Sequence, residues 1–293
     1  MTSVELTLIG GYLGAGKTTL LNRMLSQARQ RFAVIVNDLG ALPIDQALIA
    51  STSGTSLTLT NGCACCQLGG DLASQIDQLA RAGFERVLIE SSGVAKMSRL
   101  RDQLAGLPGV TLRAALTLID GESLASLLRS RWVDRLIRDQ LDHADLIIAT
   151  RVMPSWSSEQ LAWRRRAVFL DASGALPEWV WQVRTEAGAP RQVAATKPDF
   201  HHRAVVVRRG LSRTDFERFV LAHPQIQRAK GFATFNEGYF LVQSTVGRCI
   251  LTPSPVQAFE GVQFIWVGDE APPFVELSMD QGEPNTEIER VHA

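Results

Sequence analysis

Eight consecutive residues constrain this chain more than anything else in it: Gly11-Tyr12-Leu13-Gly14-Ala15-Gly16-Lys17-Thr18. The apolar run Val4 to Ile9 leads into them through Gly10. Lys17 to Gln30 follows, with Leu20, Leu21, Met24 and Leu25 at helical spacing. The order is strand, glycine loop, helix. Gly11, Gly14 and Gly16 let the backbone curl until successive N–H groups face one centre, and the helix that follows adds the positive end of its dipole. This predicts a polyphosphate site. Gly11, Gly14, Ala15, Gly16 and Thr19 would surround the phosphates, Lys17 would reach the β- and γ-groups, and the Thr18 hydroxyl would hold Mg²⁺. The plain alternative, a glycine-rich turn beside a surface lysine, leaves the flanking strand and helix as coincidence.

The same alternation runs on. Strands are expected at Phe32–Val36, Leu57–Thr60, Arg86–Glu90, Leu112–Ile119, Asp145–Ala149 and Ala167–Leu170, with helices at Asp71–Ala82, around Ser123–Arg138 and near Ser158–Arg166. Such a pattern implies an α/β domain with a mainly parallel sheet covered on both faces. Residues 1–185 fit that P-loop domain, and the Pro- and Gly-containing stretch 186–198 reads as a linker. Residues 199–278 then shift to a strand at Arg203–Val207, a helix at Arg213–Ala222, and strands at Ile226–Phe235, Tyr239–Gln243, Arg248–Leu251 and Gln263–Val267. That is the pattern of a small α+β domain with an antiparallel sheet. Residues 279–293 are polar without apolar period and read as a flexible tail.

Composition narrows the partners. Thirty basic residues balance thirty acidic ones, so net charge calls for neither nucleic acid nor an anionic membrane. No stretch approaches the roughly 18 apolar residues of a membrane span, and no basic leader opens the chain. A cytoplasmic protein is the expectation, and a homodimer is left open.

Acids and thiols supply the remaining chemistry. Asp38 follows the second strand and Glu90 closes Arg-Val-Leu-Ile-Glu, so both should lie on the carboxyl edge of the sheet, where ligands bind in open α/β folds. Asp38 and Glu90 are candidates to complete the Mg²⁺ shell, and with Lys17 and Asp45 they form the candidate catalytic set. Gly93 stands where its backbone would sense the terminal phosphate. Three of the four cysteines crowd into Cys63-Ala64-Cys65-Cys66. Neighbouring thiols are poorly placed to bridge one another, whereas reduced thiolates at this density suit Zn²⁺ or a similar thiophilic ion. Buried apolar cysteines or a redox pair are the alternatives. The His201-His202 pair reads as surface or linker histidines rather than ligands.

Taken together these motifs resemble the CobW-type metallochaperone GTPases, relatives of the GTPases that help load metal into urease and hydrogenase. The resemblance extends over most of the chain. Gly11 to Thr18 is similar to that family's phosphate loop, and Asn37-Asp38-Leu39-Gly40 with Asp45 to its first switch, which usually carries Glu where Asp38 stands. Gly62-Cys63-Ala64-Cys65-Cys66 matches its C-x-C-C signature, Glu90-Ser91-Ser92-Gly93 its second switch, and Arg228-Ala229-Lys230-Gly231-Phe232 its C-terminal Arg-x-Lys-Gly element. One element departs. The family reads guanine with Asn-Lys-x-Asp, and this chain has Thr150-Arg151-Val152-Met153. A thioether cannot accept the hydrogen bonds of guanine N1 and N2, although Arg151 can stack on a base as lysine does.

The resemblance implies a slow GTPase using GTP, Mg²⁺ and Zn²⁺ to deliver a metal to a client metalloprotein. Two other classes stay open. One is a P-loop ATPase or small-molecule kinase with a structural zinc, and the other is a non-catalytic, nucleotide-sensing regulator.

Overall fold

In the computed structural model the described residues are 4–27, 31–36, 56–60, 68–171, 176–177, 180, 183, 199–255, 260–278 and 290–291. Asp38, Asp45, Cys63, Cys65, Cys66 and the expected linker 186–198 lie outside them. The described chain forms two compact units, each with its own sheet and core.

The first unit is a seven-stranded, wholly parallel sheet in the order β3-β2-β4-β1-β5-β6-β7. Its strands are β1 (Val4–Gly11), β2 (Phe32–Val36), β3 (Ser56–Thr60), β4 (Arg86–Glu90), β5 (Val110–Asp120), β6 (Leu146–Thr150) and β7 (Ala167–Phe169). The helices are α1 (Lys17–Gln27), α2 (Leu68–Arg81), α3 (Met97–Ala105), α4 (Leu124–Leu128), α5 (Asp134–Asp142) and α6 (Leu161–Arg164). The strand period of two sends alternate side chains to opposite faces. Val34 and Val36 therefore join Leu20, Leu21, Met24 and Leu25 of α1 in one core. Ala33 and Ile35 join Leu72, Ile76 and Leu79 of α2 and Met97, Leu100 and Leu104 of α3 in the other. This two-faced burial is the reason the strands read as unbroken apolar runs.

Two helices depart from expectation. The helix expected over Ser123–Arg138 is two, α4 and α5. Between them the Ser130 hydroxyl accepts from the Trp132 N–H at 3.4 Å, and Arg129 and Ser130 bond back only three residues; a serine offering the backbone this local partner competes with helix continuation. Helix α3 was not expected from the sequence at all.

The second unit carries a six-stranded antiparallel sheet in the order β11-β10-β9-β12-β8-β13. Its elements are β8 (Phe200–Val205), α7 (Arg213–Ala222), β9 (Ile226–Phe235), β10 (Gly238–Thr245), β11 (Arg248–Pro253), β12 (Gly261–Val267) and β13 (Arg290–Val291). Phe216, Phe219 and Val220 of α7 pack on Ala229, Ala233, Val262, Phe264 and Trp266 of the sheet. Within the stretch expected to be a tail, Arg290–Val291 pairs with Phe200 and His201 as an edge strand. His201 and His202, expected at the surface, are buried; His201 stacks on Trp266, its cross-strand neighbour. Among the described residues no helix is long and apolar enough to cross a membrane.

Candidate functional site

The phosphate loop leaves the carboxyl end of β1 and enters α1. Gly11, Gly14 and Gly16 take positive φ of 128°, 76° and 102°. At Gly11 a side chain is excluded twice over, because a Cβ there would stand 2.3 Å from the Leu118 carbonyl oxygen of β5. The Ala15 N–H turns back to the Tyr12 carbonyl at 3.2 Å, and Leu20 N to Gly16 O at 2.9 Å begins the helix. Lys17, buried at 8% exposure, donates to the carbonyls of Gly11 at 2.9 Å and Tyr12 at 3.3 Å. Its charge is thus folded over the mouth of the loop. Burial holds the Tyr12 phenol well above its ordinary ionisation range, so the side chain beside the loop stays neutral. Thr19 is exposed on the first turn of α1.

Glu90 ends β4, the neighbour of β1. The Thr18 hydroxyl donates to Glu90 Oε1 at 2.9 Å across 72 residues of sequence. Just beyond, Gly93 packs under the loop, where a Cβ would lie 2.9 Å from the Leu13 nitrogen. The Gln140 amide of α5 donates to Gly93 O at 3.2 Å and Ala95 O at 2.9 Å.

The other end of the loop is tied to β6. Thr150 Oγ1 donates to Ala15 O at 3.1 Å and to Ile119 O at 3.2 Å. Arg151 Nη2 donates to Gly14 O at 3.2 Å, and the same guanidinium pairs with the Asp120 carboxylate at the end of β5.

The family described as CobW/HypB/UreG, nucleotide-binding domain, matches residues 5–166, more than half of the 293-residue chain. The chain belongs to the CobW/HypB/UreG family. It is 34% identical over 150 residues to the zinc chaperone YeiR of Escherichia coli (strain K12), covering 49% of this chain and 45% of YeiR. It is 31% identical over 223 residues to the zinc chaperone CobW of Pseudomonas aeruginosa, covering 64% of this chain and 58% of that one. The chain thus spans about half the length of these curated relatives. Among solved structures, the Zn(II)-bound YjiA GTPase from E. coli aligns over 91% of this chain and 95% of its own at 19% identity, with a TM-score of 0.46.

The match to the CobW/HypB/UreG domain takes in the loop, Glu90–Gly93 and Thr150–Arg151, whereas Arg228–Phe232 lies beyond it on β9 of the second unit. Of the expected site residues, the structure gathers Gly11, Gly14, Ala15, Gly16, Lys17, Thr18, Thr19, Glu90, Gly93, Thr150 and Arg151 along one sheet edge. Asp38, Asp45 and the three clustered cysteines are outside the described residues. Two residues at this edge, Asp120 and Gln140, stand outside the expected set. Asp120 closes β5 as Glu90 closes β4, and the same strand-end rule finds it. Gln140 carries no local signal, being a helix residue that acts through contacts 45 and 47 residues away.

Proposed function

We propose that this chain binds GTP with Mg²⁺ at the phosphate loop, hydrolyses it slowly, and uses the nucleotide state to hold and release a transition metal, zinc first, for a client metalloprotein. The observation that carries the reading is the Thr18–Glu90 contact at 2.9 Å. It brings a hydroxyl oxygen and a carboxylate, both hard donors suited to Mg²⁺, to one point beside the loop that Lys17 closes. When bound, Mg²⁺ neutralises charge on the β- and γ-phosphates.

In this reading Lys17 leaves the two carbonyls it caps for the phosphate oxygens. Thr18 and Glu90 hold the cation side of the triphosphate, and Asp38 and Asp45 serve the terminal phosphate and attacking water. Gly93 follows the γ-phosphate through its backbone. Cys63, Cys65 and Cys66 are the soft donors for the cargo ion, kept reduced in the cytoplasm. The names of the relatives, zinc chaperones, support zinc as that cargo.

The test is zinc affinity measured by competition with a chromophoric chelator in the nucleotide-free, GDP and non-hydrolysable GTP forms. A ligand without differential affinity shifts no equilibrium, so equal zinc affinity in all three forms would remove the chaperone mechanism. Turnover should vanish in Lys17→Ala with the fold retained. Turnover that persists would remove the assigned phosphate site.

A further inference from the structure

Resting on the nucleotide site proposed above, we infer that this site accepts adenine and guanine nucleotides alike, because the described residues at the end of the loop that faces the base offer stacking surfaces rather than groups that read hydrogen bonds. The sheet order sets the direction in which a nucleotide lies. Glu90 and Thr18 mark the cation and terminal-phosphate end at β4, and the loop crosses β1. The nucleoside therefore extends toward the carboxyl ends of β5 and β6, at Asp120–Gly121 and Thr150–Met153.

Those two loops touch along their backbones: a Cβ on Gly121 would stand 1.8 Å from the Val152 carbonyl oxygen. The Thr150 hydroxyl and the Asp120 carboxylate are turned inward. The Thr150 hydroxyl donates to the carbonyls of Ala15 and Ile119. Asp120 is buried at 9% exposure; its carboxylate pairs with Arg151 and accepts the Glu122 N–H at 3.1 Å. Arg151 is held in the left-handed region at φ 65°, a conformation that disfavours an L side chain by roughly 1–2 kcal/mol and so marks a fixed arrangement. Two of its guanidinium nitrogens serve Gly14 and Asp120.

After β6 the described side chains that face outward are Val152 and Met153, 44% and 45% exposed, beside the flat guanidinium of Arg151, with Glu122 exposed on the neighbouring loop. Guanine presents N–H donors at N1 and N2, whereas adenine presents an acceptor at N1 and an amino group at C6. Neither an isopropyl group nor a thioether answers either pattern, while a guanidinium plane and a polarisable sulfur stack on any purine. Sites that hold a ligand by apolar contact discriminate poorly between isosteric ligands, and strong rejection requires a buried polar group that the wrong ligand leaves unpaired.

The experiment is equilibrium titration of the full chain with fluorescent GTP and ATP in the presence of Mg²⁺, repeated on Met153→Asp. The wild-type chain should bind the two within about tenfold of each other. Met153→Asp supplies an exposed acceptor two residues beyond Arg151, and should shift preference toward GTP by roughly tenfold or more, with retained circular dichroism showing an intact fold. A wild-type preference for GTP above about a hundredfold, or an unchanged ratio in Met153→Asp, overturns the inference and leaves the proposed nucleotide site standing. Binding of neither nucleotide overturns both.

Discussion

Replacing Gly93 by alanine is the sharpest probe of how the Glu90–Gly93 segment meets the phosphate loop. The added Cβ would lie 2.6 Å from Leu13 Cδ2, 2.9 Å from Leu13 N and 3.0 Å from Leu13 Cγ. The leucine side chain can rotate; the nitrogen is backbone. Restoring an ordinary contact needs a shift of about half an ångström in a region packed at crystal-like density. Gly93 is not free to retreat, because Gln140 holds its carbonyl at 3.2 Å and that of Ala95 at 2.9 Å. Overpacking of this kind costs about 1–3 kcal/mol, and the strain has two outlets. If the loop yields, triphosphate affinity falls by about 5- to 150-fold. If Gly93 yields, the first unit's melting temperature drops by about 2–4 °C per kcal/mol. A thermal melt and a nucleotide titration on the same preparation read both. Gly106→Ala is the control, since its nearest neighbour beyond the adjoining residues is an ordinary 3.6 Å contact, and it should stay within about 0.5 kcal/mol of wild type. A Gly93→Ala chain that melts within a degree of wild type and binds triphosphate within twofold would refute the packing argument.

Three further outcomes follow from other contacts. Thr18→Ser should keep Mg²⁺-dependent triphosphate binding, and Thr18→Ala should weaken it by about tenfold or more, read by titrating Mg²⁺ at fixed nucleotide. Gln140→Leu, at a site 2% exposed, leaves the Gly93 and Ala95 carbonyls without their amide donor and should lower stability by about 1–3 kcal/mol in urea denaturation; an unchanged midpoint would remove the clamp. Burial, aided by the Glu217 carboxylate, pushes the Cys249 thiol up to about 12. In the unfolded chain that thiol ionises at about 8.5, so between these values only the unfolded chain sheds the proton. The Cys249 contribution to stability is therefore full below ~8.5 and declines as pH rises toward 12. The fall in urea midpoint between pH 8 and pH 10 should be smaller in Cys249→Ser, and an equal fall in both chains would remove this linkage.

How much of the site the sequence discloses depends on whether a residue's partners are local. Glu90 was legible because the unbroken apolar run before it marks a buried strand, and a strand-end acid in a parallel sheet must lie on the ligand edge. Helix α3 was not legible. Met97, Leu100 and Leu104 are buried at helical spacing, yet five polar residues separate them, and Lys96 at the N-cap makes no side-chain cap. The start of the helix is satisfied from elsewhere: Asp139 Oδ2 of α5 accepts the Ser98 N–H at 3.3 Å, 41 residues away. A cap supplied by a distant helix leaves no mark in the sequence around the one it caps. Arg151 divides along the same line. Its place after β6 is local information, but its pairing with Asp120 and its reach to Gly14 belong to tertiary structure.

The strand order also separates what the proposed function must couple from what it can leave loose. Thr60 at the end of β3 and Glu90 at the end of β4 are both in register with Val36, two strand spacings or about 10 Å apart. The chain therefore enters the segment bearing Cys63, Cys65 and Cys66 at the sheet edge where the terminal phosphate would sit. Thr150 lies on the opposite side of Glu90, three strands along through β1 and β5. In the proposed function, loss or gain of a γ-phosphate acts at Glu90, near the carboxyl end of β3, while the base lies on the far side of the phosphate loop. A metal switch of the proposed kind would then depend on the phosphates, and a base end of relaxed selectivity would leave it undisturbed.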